Sequence, residues 1–209
     1  MRIYRLLAVS LVAIIFSVIG TITSQQAVAA SNSPITIALT ATVDEVSDYY
    51  NLLGGVIQPG DTITGTYIYN AAASDSNSSS LVGDYWHTTA PYGVSLNVDG
   101  LVFETDPQNV SFLVELVNNY LGRDNYLFHS YNNRPLSNGL RVTHIAWQLD
   151  DPTQTALKSA ALPKTAPKLS SWQSTYGLTL EGRTSYGTPD GNSQFLVRAH
   201  VTQAQKISR

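Results

Sequence analysis

Val94-Ser-Leu-Asn-Val-Asp-Gly-Leu-Val-Phe-Glu104 decides the fold class. Val94, Leu96 and Val98 alternate with polar residues, and Leu101 and Phe103 resume the period after Asp99-Gly100. A period of two puts the apolar residues on one face of a half-buried strand. Asp-Gly suits a two-residue type I′ turn, because both central positions need φ > 0. The stretch predicts an antiparallel hairpin.

The alternation continues outward in both directions. Ile35, Ile37, Leu39, Ala41 and Val43 give one strand; Ile63, Tyr67 and Tyr69 give the next. Phe112 to Val117 is apolar except for Glu115, as in a strand buried on much of both faces. Tyr126 to Tyr131 follows, then Ile145, Trp147 and Leu149, with His144, Ala146 and Gln148 opposite. Tyr176, Leu178 and Leu180 make another strand, and Phe195, Val197, Ala199 and Val201 the last. About nine short strands with turns between them predict an all-β, antiparallel sandwich of jelly-roll type. One helical turn is expected at Pro152 to Leu157, capped by Asp151. Ala71 to Ser80 (AAASDSNSSS) has the composition of a surface loop.

The first residues read as an export signal. Arg2 and Arg5 precede an apolar run from Leu6 to Ile19, and Ala27-Val28-Ala29 supplies the small residues of a cleavage site. A membrane span needs about 20 apolar residues, more than this run offers. The expectation is a signal peptide over 1–29, one β-sandwich domain over 30–209, no membrane span after cleavage, and a secreted or periplasmic location. Removing Arg2 and Arg5 from twelve basic residues leaves ten against fifteen acidic ones, a formal charge near −5. With no basic stripe, nucleic acid is not an expected partner. The absence of cysteine excludes thiolate metal sites and thiol nucleophiles.

Two stretches carry a family likeness. Asp151-Pro-Thr-Gln-Thr-Ala-Leu-Lys-Ser-Ala-Ala-Leu-Pro163 with Pro167-Lys-Leu-Ser-Ser-Trp172 is one. Gly65-Thr-Tyr-Ile-Tyr69 with Asp75-Ser-Asn77 and Gly83-Asp-Tyr85 is the other. Together they resemble exported bacterial β-sandwich proteins of the kind that often carry a PEP-CTERM sorting tail. The resemblance implies the fold and export, and it brings no activity or site residue with it. Gln154 stands where that pattern favours Gly, and Ala160 and Lys168 where it favours Asp. Gln203 to Arg209 shows none of the tail's Pro-Glu-Pro, apolar helix or basic cluster.

Candidate chemistry is sparse. Glu104 and Asp106 are two apart, so a continuing strand would place both on one face, as an acid and base pair requires. Pro107 follows at once, which suits a solvated turn. Glu115 shares a side with Leu113 and Val117, where burial would raise its pKa, unless Arg123, Arg141 or Arg198 pairs with it. No two of His87, His129, His144 and His200 have the spacing of a local metal pair. Asp75 and Asn77, completed by Asp84, offer oxygen ligands for a structural calcium, but Ser80 and Trp86 stand where an EF-hand needs Gly and Glu.

Aromatics give the strongest binding signal. Tyr49-Tyr50, Tyr85-Trp86 and Tyr92 fall at strand ends or loops, where sugar rings could stack on their faces. The bland alternative has these rings capping the core with only a hydroxyl left wet. The leading expectation is an exported, non-enzymatic module binding polysaccharide or matrix. A glycan hydrolase or lyase on the same scaffold, and a purely structural surface protein, are the alternatives.

Overall fold

The computed structural model describes residues 34–183 and 193–207. The signal peptide expected over 1–29 lies outside the described residues. Among the described residues ten strands form: β1 (Pro34–Ser47), β2 (Thr62–Asn70), β3 (Val82–His87), β4 (Gly93–Val98), β5 (Leu101–Glu104), β6 (Phe112–Tyr120), β7 (Arg123–Ser130), β8 (His144–Asp151), β9 (Ser174–Arg183) and β10 (Ser193–Ile207). The fold is all-β and antiparallel, as expected. No described helix is long and apolar enough to cross a membrane.

The two sheets of a sandwich are not there. All ten strands join one sheet in the order β3-β6-β7-β8-β9-β10-β1-β2-β4-β5, which curls into a half-barrel. Curling lets one apolar face bury against itself. Tyr67 of β2 lies 4.9 Å from Phe128 of β7 and 6.2 Å from Trp147 of β8, between ring centroids. Phe103 of β5 meets Phe195 of β10 at 6.2 Å. The interior is thus lined from both halves of the sheet, as the right-handed twist of a wide antiparallel sheet favours.

The Asp99-Gly100 hairpin forms with both residues at positive φ, 48° and 84°, pairing Val98 with Leu101. The strand absent from the sequence reading is β3. Its Gly83 is a close-approach position: a Cβ there would meet the Ala160 carbonyl oxygen at 2.3 Å. The helical turn expected after Asp151 does not form. Asp151 does cap the segment, accepting from the backbone N–H groups of Thr153, Thr155 and Ala156. Those three bonds wrap the chain around one carboxylate, and Gln154 turns to φ 60°, which is incompatible with a helix. The described helix is a 3₁₀ turn at Leu169–Ser171.

Gly65 tests how tightly the sheet is registered. A Cβ at this position would sit 2.1 Å from the Ser95 carbonyl oxygen and 2.7 Å from the Leu96 Cα, both backbone atoms of β4. Gly65→Ala must therefore part β2 from β4. We expect it to lower the urea midpoint, at a cost of about 1–3 kcal/mol. An unchanged midpoint would mean that β2 and β4 do not approach this closely.

Candidate functional site

The outer face of the sheet carries one registered row that no sequence spacing announces. Trp86, Leu113, His129, Ala146, Thr179, Arg198 and Glu45 stand opposite one another across seven neighbouring strands. Its β3 end is aromatic. Trp86 is 44 % exposed and Tyr131, just past β7, is 39 % exposed, with ring centroids 5.9 Å apart. Beyond Tyr131 lie His129 at 5.7 Å and His144 at 5.2 Å, both near-parallel to its ring.

The two histidines hold each other. Their planes differ by 3°, His129 Nδ1 lies 3.0 Å from His144 Nε2, and the centroids are 5.1 Å apart. That separation is nearly the N···N distance plus two ring radii, so the rings lie edge to edge rather than face to face. One imidazole donates N–H to the bare nitrogen of the other. The two nitrogens face each other along a line, which suits one proton between them and not a chelated metal ion, whose ligands must converge from an angle. Burial, then the neighbouring His144, lowers the pKa of His129 to about 4.

The remaining aromatic candidates disperse. Tyr85 is only 6 % exposed and faces the interior, where its hydroxyl donates to the Ala160 carbonyl at 2.9 Å. Its ring is core, not an exposed binding face. Tyr92 packs at 4.9 Å against buried His87, on the opposite face of β3 from Trp86, and borders a surface pocket of about 170 Å³ with Thr66, Ser95 and Glu104. Tyr49 and Tyr50 are 90 % and 69 % exposed on the loop after β1, in edge contact with each other. Asp48 braces that loop through the N–H groups of Leu52 and Leu53.

Asp75, Asn77 and Asp84 do come together. Asp75 Oδ1 accepts from the N–H groups of Asn77 and Asp84, and Asn77 Nδ2 donates to Asp84 Oδ2. Ser76 N–H donates to the Asp84 carbonyl, so both backbone groups of Asp84 on the edge of β3 are occupied by the loop. The constellation caps a sheet edge, which protects it from pairing with another chain. Among the described residues, no group of three or more His, Cys, Asp or Glu is arranged to hold a metal ion.

The carboxylates are not brought together as a catalytic pair. Glu104 accepts from Arg134 Nη1 at 2.8 Å, and Asp106 caps a turn through the N–H of Gln108. Glu115 is half-buried on the outer face of β6, opposite Asp84 of β3. Burial, then the Asp84 charge, pushes its carboxyl up. Of the arginines considered for it, Arg198 pairs with Glu45, and Arg123 with Asp150. His200 sits beside Asp44 at 2.6 Å, outside the core as expected.

Tyr131 and the histidine pair are what sequence reasoning missed. The signal was present in part: alternation through Leu127, His129 and Tyr131 sets these three on one face, opposite Tyr126 and Phe128. The register that brings His144 beside them is not local. No protein-family profile, no curated protein and no solved structure matches the chain.

The histidine pair makes stability depend on pH. The folded protein holds His129 neutral down to about 4, while an unfolded chain protonates it at the ordinary 6.5. Across that interval the unfolded state binds more protons, so its share of stability is complete above about 6.5 and is lost as the pH falls toward 4. We expect the urea midpoint to decline through this window and His129→Gln to make the decline shallower. An identical slope in the variant would show that His129 is already protonated in the fold.

Proposed function

We propose that this is an exported, non-enzymatic module whose outer face binds neutral polysaccharide. The observation that carries the reading is the half-exposed pair Trp86 and Tyr131, braced from behind by the edge-to-edge imidazoles. Rings held in place lose little conformational freedom when a ligand stacks on them, so contact translates into affinity. Sugar rings offer apolar C–H faces to such a surface. Asp84 and Glu115 beside Trp86 leave the neighbourhood acidic, which favours a neutral glycan over a uronate or sulfated one. Export rests on Arg2, Arg5 and the apolar run behind them.

The enzymatic alternative has less support. Glu104 is tied to Arg134 and Asp106 is spent on a turn, and no hydrogen bond or ion pair among the described residues joins either to Glu115. The raised carboxyl of Glu115 is the one feature an acid catalyst would share.

The test is retention and product release on a polysaccharide array, with and without calcium. We expect retention without cleavage, weakened about tenfold (about 1.4 kcal/mol) in Trp86→Ala and again in Tyr131→Ala. Both variants should still unfold cooperatively, since each ring stands on the surface of the sheet. Retention unchanged in both variants would remove this face as the binding site. Release of shortened sugars would overturn the non-enzymatic reading, and calcium dependence would bring Asp75, Asn77 and Asp84 into the site.

A further inference from the structure

The inner side of the half-barrel poses a separate question. The segment after β8 crosses one end of the interior and is pinned at three places. The Leu157 N–H donates to Asp124 Oδ2, the Tyr85 hydroxyl to the Ala160 carbonyl, and the Tyr69 hydroxyl to the Pro163 carbonyl. Between this strap and the sheet lies a cleft of about 230 Å³. Leu157, Pro163, Ala166, Pro167 and Trp172 supply half of the residues that line it, and Tyr126 of β7 also borders it.

The hydroxyls beneath it do not balance. Tyr67 and Tyr126 are both fully buried, with their oxygens 2.8 Å apart. Two O–H protons are present and only one can lie between the oxygens. Among the described residues neither hydroxyl has another partner, so one proton is unspent. Burial drives both phenols well above the ordinary value, so both protons stay in place. Trp147, whose ring centroid is 6.0 Å from that of Tyr126, adds a buried Nε1–H without a partner among the described residues. Buried polar groups in a settled interior are nearly always bonded, so these donors ask for an acceptor. Tyr67 is sealed in the core, whereas Tyr126 borders the cleft. Donation from Tyr67 to Tyr126 leaves the Tyr126 proton for an occupant of the cleft.

We propose that this cleft binds a small, neutral, largely apolar ring compound carrying one hydrogen-bond acceptor, a ketone, aldehyde or ether oxygen, which accepts a hydrogen bond from the Tyr126 hydroxyl. Size supports the class. A cavity of about 150 Å³ holds benzene, and sites for larger ligands start at about 300 Å³. An oligosaccharide or a peptide segment is therefore too large, and a single substituted ring fits. Neutrality follows from the wall, whose one charged member, Lys168, is exposed and keeps its ammonium in water. This site is distinct from the outer ring face, so the two readings stand or fall separately.

The experiment compares acetophenone with cumene, a hydrocarbon of nearly the same shape, titrated into the purified protein and followed by the backbone amide NMR signals of Leu157 and Trp172. We expect saturable shifts at both signals, with acetophenone binding at least fivefold more tightly than cumene. In Tyr126→Phe the two probes should come within twofold of each other, because the hydroxyl that discriminates them is gone. Ala166→Phe, a partly exposed wall position, should fill the cleft and abolish both titrations. It keeps the proposal testable if Tyr126→Phe fails to fold. Trp86→Ala should leave both affinities unchanged. Three results would each overturn the proposal: no saturable shift with either probe, equal affinity for the two in the unmodified protein, or binding that survives Ala166→Phe.

Discussion

Tyr67 is where the curled sheet closes on itself. A single sheet with one apolar face has no second layer to cover it, so that face must fold over and meet its own far strands. Tyr67 spans the gap: its ring touches Phe128 and Trp147, stacks at 5.9 Å on Tyr69, and its hydroxyl reaches Tyr126. Truncating a buried aromatic of this kind costs about 3–5 kcal/mol in proteins generally, a large share of a domain's net stability. Tyr67 acts together with the hydrogen bonds that join the two halves at their ends, from the Asn70 N–H to His87 and between Thr105 and Ser130.

Closing the interior leaves two edges, and each is handled locally. At β3 the Ser-rich loop turns its own side chains on the strand, so that Asp84 has neither a free N–H nor a free C=O toward the edge. At β5 the chain beyond Glu104 pairs with the segment after β7, through the Thr105 to Asn133 bridge and the Arg134 N–H to the Glu104 carbonyl. The Thr105 hydroxyl bonds Ser130 at 2.7 Å behind that bridge. Residues that resemble metal ligands or paired acids in the sequence are employed here in finishing the sheet. Asp75, Asn77 and Glu104 satisfy backbone groups or a neighbouring guanidinium, which is a frequent use of short polar side chains next to strand ends.

Local chemistry was legible and long-range chemistry was not. The Val94–Phe103 hairpin could be read because turn and alternation lie within eleven residues. β3 escaped because Val82-Gly-Asp-Tyr-Trp-His breaks the apolar period with a glycine, and the reason for that glycine, the Ala160 carbonyl, is far along the chain. Asp151 was read as a cap and does cap, yet its two oxygens gather three N–H groups into a tight turn instead of opening a helix. The difference between a sandwich and one curled sheet is a matter of strand order, and β1 pairing with β10 is the least local choice the chain makes. Tyr85 and Trp86 are adjacent in sequence and opposite in fate, since a period of two sends one inward and the other out.

The outer ring array also repays the sheet for an apolar exterior. Leu113, Leu127 and Ala146 face away from the interior and are nonetheless buried, standing in and beside the row that holds Trp86 and His129. Trp86 and His129 flank Leu113 in the register, and His129 flanks Ala146, so neighbouring rings help an antiparallel sheet with one solvated face carry apolar side chains there. The same arrangement restrains the rings: a Trp held beside Tyr131 and a cross-strand leucine has fewer rotamers to lose when something stacks on it. Stability and recognition then draw on the same contacts. The imidazole pair fits this scheme, because the two ring nitrogens that face each other satisfy one another beside Tyr131. A surface built so is held flat by its own packing, and the faces of Trp86 and Tyr131 that remain half-exposed are the part of it left for a ligand.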